Sequence, residues 1–396
     1  MKVQRIVAIL LLSLCLIPAS SLTAISTFTT RPITSVLAIP SQEFDDPIAI
    51  NNNVELAALS SEGVGTRNDP YIIEGLDINS ANCLTITETT AFFVIRNSVF
   101  TTQFYGGVGG IQAVSFIQVE HGSIESCFVR GGDSAISVSA SSDCSIIDSM
   151  TYGAINGIIM DSSVNCTIID SRSFDNSIGA MLVNSSYCKI INSSIYGNTG
   201  TGVHIETLCE NITIAGNRIG WNSDTNAIDN GVNTEFINGI FSGNEWSDFG
   251  ETVGYQIQGS ANSTDYFASR LTDDRPPVLY GNLDFVVDVE STGETITWAA
   301  SDNFHYRYEI FVDGTLHVSE PWDGESITFG LDEFGVGIYN LTLTVFDAAG
   351  HEARDVVIMS VISFILGGIG TELVMLASGI TVICFVAIIL IIKRIS

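Results

Sequence analysis

Basic residues are scarce in this chain of 396 residues: 15 Lys and Arg stand against 44 Asp and Glu. Four of the 15 (Lys2, Arg5, Lys393 and Arg394) sit at the two ends. Residues 25–372 therefore hold 11 basic residues against 44 acidic ones, a formal −33, and Lys189 is their only lysine. Such a surface repels phosphate backbones, which excludes nucleic acid as a partner. Histidine (5) and methionine (6) are few and ungrouped, and no Cys-x-x-Cys pair occurs, so no motif-built metal centre is indicated. Also missing between the ends is any sustained 3.6-residue hydrophobic period; no run there is long enough to be read as a helix. An all-β chain is expected.

The ends carry the long apolar runs. Lys2 and Arg5 precede an apolar stretch over 6–17, and small residues up to Ala24 follow. This is the pattern of a cleaved export signal, residues 1–24. Residues 373–392 (LVMLASGITVICFVAIILII) form an uncharged run of bilayer-spanning length, and Lys393 and Arg394 follow at once. The expected topology is single-pass type I in the cell membrane, with the ectodomain outside and a cytoplasmic tail of residues 393–396.

Residues 25–50 read as a linker, and residues 51–271 as a solenoid. Cys144, Cys166 and Cys188 recur every 22 residues, each opening a similar strand: CSIIDS, CTIIDS, CKIINS. In step with them run AISVS, GIIMD, GAMLV and GVHIE, separated by clusters of Asn, Asp, Ser and Gly that make turns. Strand alternation puts Cys166 on the same side as Ile168, so the three cysteines should form a buried inward ladder. Stacked parallel geometry suits a disulfide poorly, and buried thiols are the reading adopted here.

These repeats resemble the right-handed parallel β-helix proteins of the carbohydrate-binding and sugar-hydrolase type, particularly the NosD-like branch common in archaeal surface proteins. The flanks strengthen the resemblance: residues 65–78 (GTRNDPYIIEGLDI) look like its first coil, and 243–249 (GNEWSDF) with 254–271 like its closing segment. The resemblance implies the architecture more than an activity. It links NosD relatives to copper delivery, for which this chain has no His or Met grouping. Polygalacturonase-like hydrolases of the fold are expected to show Asn-Thr-Asp, Asp-Asp, Gly-His-Gly and Arg-x-Lys. Here Asp45-Asp46 and Asp273-Asp274 lie outside the coils, His121-Gly122 lacks the preceding glycine, and Arg-x-Lys is absent.

After Pro276-Pro277 the repeat stops. Seven alternating segments (284–289, 295–300, 306–312, 315–319, 326–331, 337–346 and 354–361) predict a β-sandwich over 275–362. Its last strands resemble immunoglobulin-like and PKD-type modules of surface proteins, and it is expected to act as a spacer above the membrane.

Asp148, Asp170 and Asn192 also recur at the 22-residue spacing. Asp148 and Asp170 are the only candidates for a bound calcium; the alternative, preferred here, is a solvated turn in which such residues cap backbone amides. Six sequons, at Asn165, Asn184, Asn192, Asn211, Asn262 and Asn340, are glycosylation candidates in an exported chain. Trp221 and Tyr105 could stack on sugar rings. No catalytic residue and no cofactor is indicated. The expected function is non-catalytic recognition of a glycan or another cell-envelope component. A membrane-anchored polysaccharide lyase or glycoside hydrolase is the alternative, and a structural envelope component the third reading. A groove with an acidic pair beside Arg or Lys would favour the enzyme; one lined by Ser, Thr and Asn alone would favour recognition.

Overall fold

The computed structural model describes residues 42–44, 46–102, 110–237, 243–250 and 253–363. The export signal, the apolar run 373–392 and Tyr105 lie outside them. Among the described residues no helix is long and apolar enough to cross a membrane.

Three parallel sheets of ten, eight and seven strands wind through the first part of the chain. The register advances by 22 residues per coil: Ile136 pairs with Ile158 and then Ala180, and Ser145 with Thr167 and then Lys189. Pairing begins before residue 51, since Ile48–Ile50 already lies against Leu84–Thr87. The helix-free expectation fails at one place. Asn53–Leu59 is a short helix whose N-cap, Asn52, accepts from the Val54 and Glu55 amides, and its Leu56 is fully buried in the core. Two turns of helix are too short to show a period in sequence.

What closes each coil is a set of tight corners. Asp143, Asn165, Tyr187, Asn211 and Asn233 all have φ between 53° and 57°, one coil after another. Asp148, Asp170 and Asn192 form a second such column at 46°, 50° and 52°, continued by Gly216 at 69°. Asn, Asp and Gly tolerate this left-handed region best, which explains why the turn clusters hold them at a fixed spacing.

Inside the corners run polar ladders. The backbone N–H groups of Cys127, Ser149 and Ser171 donate to the hydroxyls of Ser149, Ser171 and Ser193, each one coil on. The chain continues as Ser193 N to Asn217 Oδ1 (2.8 Å), Asn217 N to Asn244 Oδ1 (3.0 Å) and Asn244 N to Asp265 Oδ2 (2.7 Å). A second ladder joins Ala154, Asn176, Asn198 and Asn222 in the same way. Corner amides that no strand can pair are thus satisfied across coils.

Cys144, Cys166 and Cys188 are buried, and their thiols donate to backbone carbonyls such as those of Ser142, Val164 and Ser186. All six described cysteines are free thiols. The neighbouring Cys166 thiol and then burial push Cys144 and Cys188 up, and burial lifts Cys127 to about 12. A thiol reagent should leave the three ladder cysteines unlabelled in native protein over minutes and label all three in denaturant. Fast native labelling would show that the ladder is open.

Beyond Pro277 two further sheets form. Val278–Tyr280, Thr295–Ser301 and Ile327–Gly330 make one of three strands; Phe285–Asp288, Glu352–Ile362, Gly337–Asp347, His305–Val312 and Thr315–Pro321 make one of five. Both line a single core that includes Trp298, Trp322, Leu343 and Met359. This second unit does not stand clear of the solenoid as a spacer would. Phe304 packs edge-on against Tyr196 (5.3 Å between centroids) and Trp221 (4.9 Å), and His305 against Phe174 (5.2 Å). Met150 and Leu271 complete this apolar joint, and Arg130 pairs with Glu320 across it.

Candidate functional site

The ten-stranded sheet carries the chemistry. Phe128, Met150, Arg172, Ser194 and Arg218 are paired in register along one column of it. Beside them lie the corner residues Ser126, Asp148 and Asp170. Together Ser126, Phe128, Asp148, Met150, Asp170 and Arg172 border a shallow open groove of about 160 Å³. The Ser126 hydroxyl donates to Asp148 Oδ2 (3.1 Å). Arg218 lies against Glu245 at 3.4 Å, whereas Arg172 is exposed and makes no ion pair among the described residues. Two carboxylates one coil apart thus flank a guanidinium, with Phe128 and Met150 supplying apolar surface.

Asp148 and Asp170 do not come together with a third metal-ligating side chain among the described residues. Their left-handed corners account for their spacing without a cation. The same corners generate the sequons. Asn165, Asn184, Asn192, Asn211 and Asn262 all have positive φ between 46° and 56°; Asn340 lies in the strand Gly337–Asp347. In each solenoid sequon the middle residue turns inward or is partly covered, and the hydroxyl residue faces out on the following strand or corner. All the sequon asparagines except the half-buried Asn211 are exposed. Trp221 is not an open sugar platform, because Phe304 covers it.

The joint between the two units gathers titratable groups that the sequence does not bring together. Asp273, outside the coils, meets Asp347 and His351 of the turn joining the two longest strands of the second unit, their ligand atoms all lying within 4.8 Å of one another. His351 Nδ1 lies 2.8 Å from Asp347 Oδ2, and this hydrogen bond pushes the imidazole up. Burial raises Asp273, and it lifts Asp302 to about 6.

Burial also lifts Asp175 to about 6, although Arg130 and Arg307 pull it down. A folded value above the unfolded one means that the folded state binds the proton more tightly, so stability falls as pH rises from about 4 to 6. Asp175→Asn, which suits the residue's φ of 52°, should raise the melting temperature above pH 6 and leave it unchanged below pH 4. An equal shift at both pH values would refute this.

Residues 79–261 match the family profile described as "Periplasmic copper-binding protein (NosD)". Over those residues the solenoid is similar to the NosD-type β-helix. No curated protein matches the chain. Among solved structures it is similar to an alginate lyase from Paenibacillus sp. str. FPU-7, at 13% identity and a TM-score of 0.36, over 50% of this chain and 76% of that one. Pectate lyase Pel9A aligns at 14% identity and 0.31, over 58% and 66%. The tailspike protein 2 of bacteriophage CBA120 aligns at 10% and 0.33, over 79% and 71%. Likenesses this distant say nothing of substrate.

Copper favours imidazole, thiolate and thioether donors. Among the described residues the β-helix of this chain does not assemble such a set. Its cysteines face the core, where the Sγ atoms of Cys144, Cys166 and Cys188 lie 3.4–3.5 Å from the carbonyls of Ser142, Val164 and Ser186. His121 is stacked on Phe92 at 4.0 Å, and His204 faces Glu206. The only group of three His, Cys, Asp or Glu ligands among the described residues is the one at the joint, with a single imidazole. The residues present do not fit a copper centre.

Proposed function

We propose that this protein is a membrane-anchored cell-surface protein whose NosD-type β-helix binds neutral glycans in the groove at Asp148, Asp170 and Arg172 without turning them over. The groove itself carries this reading: carboxylates and a guanidinium offer acceptors and donors to sugar hydroxyls, beside apolar surface from the half-buried Phe128. At about 160 Å³ it is smaller than the pockets of roughly 300–1,000 Å³ that enclose small ligands, so it suits the face of a sugar ring. The formal −33 of residues 25–372 disfavours polyanionic chains. Export by residues 1–24, anchoring by 373–392, glycosylation at the six sequons, and an immunoglobulin-like sandwich over 275–362 belong to the same proposal.

The second reading, a polysaccharide lyase or hydrolase, draws on the same groove, since an acidic pair beside an arginine is what an enzyme would need. The exposed positions of Asp170 and Arg172 favour binding over catalysis, because neither has the buried setting that tunes an acid or base. A glycan array probed with the full-length protein tests the choice of ligand. Neutral polysaccharides should be retained, and Asp170→Ala with Arg172→Ala should weaken retention at least tenfold. Preference for uronate polymers, or retention unchanged in the double variant, would overturn the proposal.

A further inference from the structure

We propose that Asp273, Asp347 and His351 bind a borderline divalent cation, zinc or manganese, which clamps the second unit to the end of the β-helix. One oxygen of each carboxylate and a ring nitrogen of His351 already lie within 4.8 Å of one another. That spacing lets a single ion reach all three at ordinary bond lengths of about 2.0–2.2 Å with small side-chain movements. The set joins separate segments. Asp273 lies two residues past Leu271, which packs in the apolar joint, whereas Asp347 and His351 bound the turn between Gly337–Asp347 and Glu352–Ile362.

Two independent observations point to a cation rather than to a chance grouping. Asp273 Oδ2 is shut off from solvent and has no hydrogen-bond partner among the described residues. A desolvated carboxylate oxygen without a donor is costly, and a bound cation would relieve it. The Asp347 side chain is wholly buried, and among the described residues the only hydrogen bonds to its carboxylate come from His351: from the backbone N–H to Oδ1 (2.8 Å) and from Nδ1 to Oδ2 (2.8 Å). No ion pair among the described residues brings a lysine or arginine to either carboxylate. Asp302, whose Oδ1 accepts from the Phe304 amide, stands close enough to feel both charges. In the bound form the ion takes the place of the proton between His351 and Asp347. An imidazole in the set selects against calcium and magnesium, which prefer all-oxygen shells.

The experiment is a titration of metal-stripped full-length protein with zinc and, separately, manganese, calcium and magnesium, read by calorimetry and by melting temperature. The expected result is one equivalent of zinc or manganese bound, with a rise in melting temperature by mass action. Asp273→Asn and His351→Gln should each weaken binding at least tenfold and abolish that rise; His351 lies on a partly exposed turn, so its variant keeps the fold. Glu333→Gln, at an exposed carboxylate of the second unit outside the cluster, should leave metal affinity and the melting rise unchanged. Absence of stoichiometric binding, calcium binding as tight as zinc, or binding indifferent to both joint substitutions would overturn the site. A failed glycan array would leave it standing, since none of Asp273, Asp347 and His351 borders the groove.

Discussion

Asn217→Leu is expected to destabilise the β-helix by about 3 kcal/mol or more, whereas Asn217→Ser should cost much less. The side chain is fully buried, accepts from Ser193 N at 2.8 Å, and donates to Ile190 O (2.8 Å) and Asn244 Oδ1 (2.9 Å). Leucine would orphan the Ser193 amide and the Ile190 carbonyl, at roughly 1–3 kcal/mol for each buried group left unpaired. Serine restores the acceptor that Ser149, Ser171 and Ser193 supply in the preceding coils. Denaturant unfolding of the three proteins measures the difference. If leucine and serine were equally mild, the cross-coil ladder would not be holding the corners.

Phe304→Ala should separate the second unit from the solenoid. Phe304 is buried between Tyr196 and Trp221, and truncating a buried Phe typically costs about 3–5 kcal/mol. Contacts between units within one chain are small enough for that loss to uncouple them. Calorimetry should then resolve two transitions where the native chain gives one, and small-angle scattering should show a longer maximum dimension. Phe329→Ala, in the core of the second unit, should lower that unit's stability without lengthening the molecule. Unchanged scattering in Phe304→Ala would mean that the aromatic joint does not set the arrangement.

The coils were legible because a 22-residue repeat places identical residues at identical positions, as with Cys144, Cys166 and Cys188. The strands of the second unit were legible from alternation; only Val278–Tyr280, a three-residue strand directly after a Pro-Pro pair, gave no period to read. The asparagine ladders were not. An Asn in a turn cluster reads the same whether it occupies a left-handed corner, as Asn192 does, or points inward, as Asn217 does. Repeated Asp148 and Asp170 suggested either calcium or capping, and only the sign of φ shows why Asp and Asn recur there. The joint was hidden for a different reason. Phe174, Tyr196 and Phe304 look like ordinary core aromatics, and Asp273 meets Asp347 only when two units far apart in sequence pack side by side.

The most direct test of the central claim is calorimetric titration of the full-length protein with a neutral oligosaccharide retained on the array, paired with product analysis of the same sample. A saturable binding heat at one site, no new chain ends, and loss of the signal in Arg172→Ala are expected. A sustained heat of turnover with accumulating products, abolished by Asp170→Asn while binding persists, would contradict that claim and make the groove an active site.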